Sequence, residues 1–271
     1  MMRCVPINCV SIERLRLTGF IFLLSVVLGG CVHEPIEGRL TPEQAAARAE
    51  QSARIHTELA GEYYHRGQYK VALEEVDRAF KSDPNHAPAF SMLGLIYMAL
   101  NEDGKALTNF ERALSREPKN SEIHNNYGWF LCERFPEQMD SAINHFMTAL
   151  KDPLYGTHHV AYANAGLCEL KRNNFNKASL YFRESLSLQP AYRPALVGLI
   201  EMDFKEGNIA AARSELREFM KRYQPTARSL WLGIQIEQAS GNARAADSYR
   251  FQLQKYYPNS REIKAVREGG F

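Results

Sequence analysis

The stretch FSMLGLIYMALNEDGKALTNFERALSREP, residues 90–118, decides the fold of this chain. Its first part places apolar or small residues at i, i+3, i+4 and i+7, the stripe of one amphipathic helix: Phe90, Leu93, Gly94 and Tyr97. Its second part has a similar stripe at i, i+4 and i+7: Ala106, Phe110 and Ala113. Gly94 and Ala106 are small enough for the two helices to approach closely, and Pro118 cannot continue the second helix. The stretch therefore predicts two packed helices joined by a turn.

The same helix pair recurs through the rest of the chain. Prolines 33 to 37 residues apart stand at 84, 118, 153, 190, 225 and 258, and alanines 34 to 36 residues apart stand at 72, 106, 142, 178, 212 and 246. The residue between each alanine and its proline is usually large and apolar: Val76, Phe110, Phe146, Phe182 and Leu216. Arg250 breaks this pattern in the last unit. The period resembles the tetratricopeptide repeat, a 34-residue helix-turn-helix, and predicts an all-α, right-handed α-solenoid of about six repeats without strands.

The repeat boundaries follow from the proline positions. The predicted solenoid covers 41–271, with repeats at 53–86, 87–120, 121–156, 159–192, 193–226 and 227–260 and a C-terminal capping helix at 260–268. Thr41-Pro42-Glu43-Gln44 reads as a capping box with proline in the first helical position. Two extra residues around Phe135-Pro136-Glu137 lengthen the turn between the helices of the third repeat.

The N-terminus has the pattern of a targeting segment. Residues 17–28 read LTGFIFLLSVVL and follow Arg14 and Arg16. A membrane-spanning helix needs about 20 apolar residues, and this run is shorter. It therefore predicts a secretory signal peptide that comprises residues 1–30. The segment ends in Leu28-Gly29-Gly30-Cys31, which resembles the bacterial lipoprotein signal of an aliphatic residue, two small residues and cysteine. The alternative is an uncleaved signal anchor with a chance cysteine.

The lipoprotein resemblance implies a mature chain that begins at Cys31. Its thiol would carry diacylglycerol and its amine an N-acyl chain (palmitate), and residues 31–40 would form a short tether. Val32 stands where an aspartate would signal retention in the inner membrane, so the resemblance implies the outer membrane and its periplasmic face. No other cofactor is expected.

Composition and motifs argue against nucleic-acid binding and catalysis. The chain has 33 Lys and Arg against 31 Asp and Glu, and three arginines and one glutamate in the first thirty residues account for the whole excess. A neutral body lacks the basic surplus that phosphate binding needs. The sequence has no phosphate-binding glycine loop, no C-x-x-C, no H-E-x-x-H and no nucleophile elbow. His158-His159 is its one histidine pair, and adjacent helical residues point to different faces. We therefore expect no enzyme activity, no metal site and no small-molecule substrate.

Two cysteines belong to the mature domain, Cys132 and Cys168. They lie at similar heights on the first helices of repeats three and four, which stack side by side in such a solenoid. An even number of cysteines in an oxidising compartment favours a disulfide. Two buried thiols that pack as small hydrophobic side chains are the alternative.

The first helices of such an array line a concave groove that holds peptides or proteins. The repeat offsets place Asn125, Trp129 and either Cys132 or Glu133 toward this groove in repeat three. Matching positions in the neighbouring repeats are Ser91, Leu95, Met98, Ala163, Leu167 and Leu170. Asn125 can hydrogen-bond an extended backbone and Trp129 is a typical anchor, although packing of Trp129 against repeat four is an equal alternative.

The leader, the six repeats, NNYGWFLC at 125–132 and NAGLC at 164–168 together resemble the type IV pilus biogenesis lipoproteins of the PilW/PilF family. The resemblance implies a pilotin, an outer-membrane lipoprotein that binds the secretin subunit and promotes its localisation and multimer assembly. It also implies a disulfide between Cys132 and Cys168. The alternative is a tetratricopeptide scaffold lipoprotein of another cell-envelope assembly machine.

Overall fold

The structure is a computed structural model that describes residues 40–269. This range contains helices and no strand, which confirms the all-helical prediction. The helices are α1 Pro42–His65, α2 Tyr69–Ser82, α3 Ala87–Ala99, α4 Asp103–Arg116, α5 Ser121–Arg134, α6 Met139–Leu150, α7 His158–Lys171, α8 Phe175–Leu188, α9 Arg193–Lys205, α10 Ile209–Arg222, α11 Ala227–Ala239, α12 Ala243–Tyr256 and α13 Arg261–Arg267. The predicted signal peptide 1–30, the lipidation site Cys31 and the tether up to residue 39 lie outside the described residues.

The helices pack in sequential pairs. The first four pairs, α1 with α2 through α7 with α8, make the most extensive contacts, and odd-numbered helices also contact the next odd-numbered helix from α1 to α11. Six helix pairs stacked in this way form the solenoid, with α13 packed on α11 and α12. The odd-numbered helices form one continuous layer, and this layer carries the residues predicted to face a partner.

The array begins at the predicted capping box. The Thr41 hydroxyl accepts a hydrogen bond from the Gln44 backbone N–H at 3.2 Å, and the Thr41 N–H donates to the Gln44 side chain at 3.0 Å. Pro42 occupies the first helical position, where its missing N–H costs nothing. The capping-box prediction is therefore confirmed.

In four of the six helix pairs, an aromatic ring of the second helix packs over a glycine of the first. A Cβ atom added to Gly94 would lie 2.8 Å from the Phe110 ring, and one added to Gly166 would lie 2.7 Å from the Phe182 ring. Phe182 also contacts Gly198 of the next pair, so a single buried ring joins α7, α8 and α9. These glycines are needed because any side chain would collide with the core.

The last repeat uses a neighbouring residue for the same purpose. Arg250 stands at the usual aromatic position, but its side chain pairs with Asp247 on the helix surface. The Tyr249 ring instead packs over Gly233, at 2.9 Å from an added Cβ. A shift of one residue therefore preserves the packing of aromatic on glycine.

The lengthened turn of repeat three contains a 3-10 helix of three residues, Pro136–Gln138. The ring of Phe135, just before this turn, packs edge-on against Phe130 with the centroids 5.4 Å apart. The longer turn thereby gains an apolar contact with the core.

Candidate partner-binding groove

A disulfide joins the two helices at the centre of the odd-numbered layer. Cys132 on α5 and Cys168 on α7 are bonded, with their Cα atoms 5.8 Å apart. Both residues are buried within the largest apolar cluster of the described chain. The bond fixes α5 against α7 and thereby fixes the spacing of the residues that these helices present.

The residues predicted to line the groove fall into two groups. Three partly exposed apolar side chains form the accessible group: Leu95, Trp129 and Leu167. The others are buried between the helices: Ser91, Met98, Asn125, Cys132, Ala163 and Leu170. The accessible surface of the layer is therefore narrower than the repeat offsets imply.

Trp129 both packs and remains partly accessible. Its ring lies against the apolar cluster around Cys132 and Cys168, and Leu95 contacts the same cluster. The Lys171 ammonium lies 6.0 Å from the centre of the Trp129 ring, within range of a cation–π contact. A partly exposed tryptophan on a rigid base has the properties of an interface anchor.

A chain of side-chain hydrogen bonds, here named the amide ladder, crosses three odd-numbered helices. Asn164 on α7 donates to Asn125 on α5 at 3.0 Å, and Asn125 donates to Asn126 at 3.4 Å. Asn126 in turn donates to the Ser91 hydroxyl on α3 at 3.3 Å. Each amide has two donor hydrogens and an acceptor oxygen, so the partly exposed Asn126 and Asn164 retain unused hydrogen-bonding capacity, while Ser91 and Asn125 are buried. Such a row suits the repeating N–H and C=O groups of an extended polypeptide.

Asn126 and Asn164 were missed by the sequence predictions. They occupy the same offset in consecutive repeats, one residue after the positions assigned to the groove. The recurrence of asparagine at this offset is the sequence feature that could have identified them.

A cavity lies at the N-terminal end of the amide ladder, between α1, α3 and α5. Its volume is about 740 Å³, within the range of about 300–1,000 Å³ found for ligand pockets. Ile55, Leu59 and Met92 form part of its apolar wall, and Asn126 of the ladder also lines it. The cavity and the ladder are therefore one continuous surface.

A charge network surrounds Glu133, the residue after the disulfide-bonded Cys132 of α5. This nearly buried carboxylate lies 2.5 Å from the Lys171 ammonium and 2.7 Å from the Arg261 guanidinium of α13. Burial raises the pKa of Glu133, but the two cations outweigh this effect and hold the pKa below its usual value. The network connects α5 to α13, which lies 128 residues further along the chain.

Two kinds of feature are absent from residues 40–269. Within this range no three His, Cys, Asp or Glu side chains are grouped to hold a metal ion. None of the helices in the same range is long and apolar enough to cross a membrane. The paired histidines point to different neighbours, His158 to Tyr155 and His159 to Tyr192.

Family models support the repeat assignment. Two models described as tetratricopeptide repeat match the chain, one at 87–120 and 159–192 and the other at 109–151. The fold and these matches define a tetratricopeptide-repeat protein.

Full-length comparisons narrow the class. The chain is 28% identical to the type IV pilus assembly protein PilF of Pseudomonas aeruginosa over 90% of this chain and 95% of that protein. The crystal structure of PilW, described as a widely conserved type IV pilus biogenesis factor, is 37% identical and matches with a TM-score of 0.63 over 80% of this chain and 98% of PilW. A solved structure of Pseudomonas aeruginosa PilF matches with a TM-score of 0.58 at 26% identity, over 82% of this chain and 99% of that one. The chain belongs to the PilW/PilF family of type IV pilus biogenesis proteins.

Proposed function

We propose that this chain is a pilotin, an outer-membrane lipoprotein that binds the secretin subunit of the type IV pilus and promotes its localisation and multimer assembly. The similarity to PilW, 37% identity over nearly the whole of that protein, is the observation that carries the proposal. The lipoprotein-like sequence Leu28-Gly29-Gly30-Cys31 supports the membrane anchor. The partly exposed Trp129 and the amide ladder support the binding of another polypeptide.

In the proposed mechanism, the acyl chains determine where the protein is located and the odd-numbered layer determines which partner it binds. Diacylglycerol and an N-acyl chain on Cys31 anchor the protein, since each buried methylene contributes about 0.8 kcal/mol to membrane binding. The odd-numbered layer holds a segment of the secretin subunit. A bound subunit is thereby delivered to the outer membrane, where contacts between subunits form the multimer.

The chemistry of the layer favours binding over catalysis. The amide ladder offers neutral donors and acceptors, and Trp129, Leu95 and Leu167 offer apolar surface. These groups recognise a backbone and apolar side chains without transferring protons or electrons. We propose neither a nucleic acid nor a small-molecule substrate as ligand.

Replacement of Cys31 tests whether lipidation directs the protein and its bound secretin to the outer membrane. Cys31→Ser should leave secretin binding intact but move the chain, and the secretin with it, out of the outer-membrane fraction. Membrane fractionation followed by immunoblotting of both proteins measures this. Normal secretin multimers in the outer membrane of the Cys31→Ser strain would contradict the proposal.

Replacement of Trp129 tests whether the odd-numbered layer binds the secretin subunit. Trp129→Ala should lower the amount of secretin that co-purifies with the chain by about tenfold, because a central anchor carries a large share of binding energy. Phe251→Ala, which removes an exposed ring on α12, is the matched control and should co-purify as wild type does. Stable co-purification with another envelope complex and never with the secretin would favour the scaffold alternative.

A further inference from the structure

Three hydrogen-bond acceptors line the cavity at the N-terminal end of the amide ladder. Glu58 comes from α1, His86 precedes α3, and Glu122 comes from the first turn of α5. We name these three residues, with the cavity they line, the acidic cavity. They come from the first and third repeats, with His86 at the junction of the first and second, so the cavity depends on the stacking of the array.

The carboxylates of the acidic cavity are poorly neutralised. Glu122 has no basic side chain within 4.0 Å among residues 40–269. The partner of Glu58 is Arg54 at 4.0 Å, one turn away on the same helix; both side chains are mostly exposed, and Arg54 also lines the cavity. Glu122 is exposed on the helix surface, yet partial desolvation at the cavity wall, and then the negative charge of Glu58, raise the pKa of its carboxyl. A position in the first turn of a helix would have the opposite effect on an acid, so the local environment is one that a cation would relieve.

His86 gives an independent indication of a ligand. Its side chain is about nine-tenths buried and lines the cavity, yet its Nε2 atom has no hydrogen-bond partner in the described chain. Its Nδ1 atom lies 4.0 Å from the Asp83 carboxylate, too far for a hydrogen bond, and the negative charge of Asp83 favours electrostatically the tautomer with the proton on Nδ1. Nε2 then presents a lone pair, and a buried acceptor left unpaired is unfavourable until a donor arrives.

The apolar wall of the acidic cavity complements these acceptors. Ile55 and Leu59 are 45% and 40% exposed, and Met92 lies beside them in the same cavity. Lysine and arginine side chains combine an alkyl stem with a charged, donor-rich head. The stem matches the wall and the head matches Glu58, Glu122 and His86.

We infer that the acidic cavity binds a lysine or arginine side chain from an extended segment of the partner protein, whose backbone follows the amide ladder. The inference rests on the proposed function for the identity of that partner, a secretin subunit. Asn126 supplies the continuity, because it belongs to the ladder and also lines the cavity. The occupant is therefore an extended peptide with a basic residue between apolar ones.

Short peptides test the inference without the secretin. The probes are capped pentapeptides Val-Thr-X-Thr-Val in which X is Arg, Lys, Gln or Glu, titrated into the full chain in detergent. Methyl NMR of labelled methionines reports on the cavity through Met92, with Met220 on α10 as the distant reference. The Arg and Lys peptides should shift Met92 with dissociation constants about tenfold lower than those of the Gln and Glu peptides. Higher salt should reduce this preference.

Charge variants identify the residues responsible. The double variant Glu58→Gln with Glu122→Gln should remove the preference for basic peptides, and Glu122→Lys should shift it toward the Glu peptide. Glu184→Gln, which neutralises an exposed acid on α8, is the matched control and should bind as wild type does. Equal shifts for all four peptides, or no shift of Met92 with any of them, would overturn the inference.

Co-purification of the secretin with the same variants separates the two proposals. If the peptides show no charge preference but Trp129→Ala still abolishes secretin co-purification, the acidic cavity is not a basic-side-chain site and the pilotin proposal stands. If the basic peptides bind as expected but the secretin never co-purifies, the pilotin proposal fails and the cavity serves another partner.

Discussion

The two halves of the array treat their carboxylates differently. In the C-terminal half, Glu201 of α9 lies 2.5 Å from Arg228 of α11, and Glu237 of α11 lies 2.8 Å from Arg213 of α10. In the N-terminal half, the nearly buried Glu75 and Glu133 are also paired with cations, but the exposed Glu122 has no such partner within the described chain. A carboxylate bound by a guanidinium has little hydrogen-bonding capacity left for a ligand. The N-terminal half therefore combines paired carboxylates with one, Glu122, that remains available to a partner.

The two halves meet at Phe182, where the largest effect is expected. This fully buried ring packs over Gly166 of α7 and Gly198 of α9, so Phe182→Ala removes contacts both within its own helix pair and with the next pair. We expect a loss of about 3–5 kcal/mol in the free energy of unfolding, since the rigid helices cannot close the cavity. The melting temperature should fall by about 10 °C, measured by circular dichroism.

The control for this prediction is Phe251→Ala, because Phe251 is 67% exposed and belongs to the C-terminal half. Its free energy of unfolding should change by no more than about 0.5 kcal/mol. If Phe182→Ala melts at the wild-type temperature, the two halves are not joined through this ring.

The disulfide provides the next largest effect. Cys132 and Cys168 are 36 residues apart, and closing a loop of this length in the unfolded chain stabilises the fold by about 3–4 kcal/mol in the chain-entropy model. The double variant Cys132→Ala with Cys168→Ala should therefore unfold at lower urea concentration. A reducing agent should lower the urea midpoint of the wild type and leave that of the double variant unchanged. Equal midpoints of the wild type with and without reductant would show that the bond contributes no stability.

The sequence predicts the fold well because the relevant contacts are local. In four helix pairs, the glycine and the aromatic ring that packs on it lie 16 to 18 residues apart, as Gly94 and Phe110 do, and this spacing recurs with the repeat. The role of Tyr249 was missed because a fixed period assigns the position to Arg250 and ignores a shift of one residue. A capping box is also local, and Thr41 could be recognised directly.

The repeat pattern of the sequence predicts only part of the binding surface. Repeat offsets led to Asn125 and Trp129, and the same reasoning could have reached Asn164. The acidic cavity could not be found in this way, because the approach of Glu58 and Glu122 depends on how successive repeats stack. The same holds for the contact between α13 and α5, which joins residues more than one hundred positions apart.

A pair of variants, one in each half, tests the difference between the halves directly. Arg228→Ala leaves the nearly buried Glu201 carboxylate without its partner and should lower the free energy of unfolding by about 2 kcal/mol. Partner binding should not change, because both residues lie in the C-terminal half. Glu122→Gln should do the reverse and weaken binding, with a change in unfolding free energy below about 0.5 kcal/mol. Urea unfolding and the peptide titration measure the two properties separately.

The division between the halves would be wrong if both variants lowered stability and left binding unchanged. It would also be wrong if Arg228→Ala weakened peptide binding as strongly as Glu122→Gln does. In either case, the carboxylates of both halves would have the same role.

The smallest effect concerns a histidine pair that lies within the N-terminal half. His124 donates from Nε2 to the Pro118 carbonyl at 3.0 Å, so its Nδ1 is free to accept a hydrogen bond from Nδ1 of His145 at 2.8 Å. The Tyr127 ring lies 4.8 Å from the His145 ring, between centroids, and covers it further. Burial, and then the neighbouring His124, lower the pKa of His145 to about 4.

This lowered pKa makes stability depend on pH in a defined window. Above pH 6.5, the ordinary pKa of His145, the ring is neutral in both the folded and the unfolded chain. As the pH falls from there toward 4, the unfolded chain binds a proton that the folded chain excludes, so the free energy of unfolding decreases, by at most about 2 kcal/mol at about pH 5. Urea unfolding at pH 7.5 and pH 5 measures the loss, which His145→Gln should reduce and His65→Gln, at an exposed site, should not. If His145→Gln loses as much stability on acidification as the wild type, the pH dependence arises elsewhere in the array.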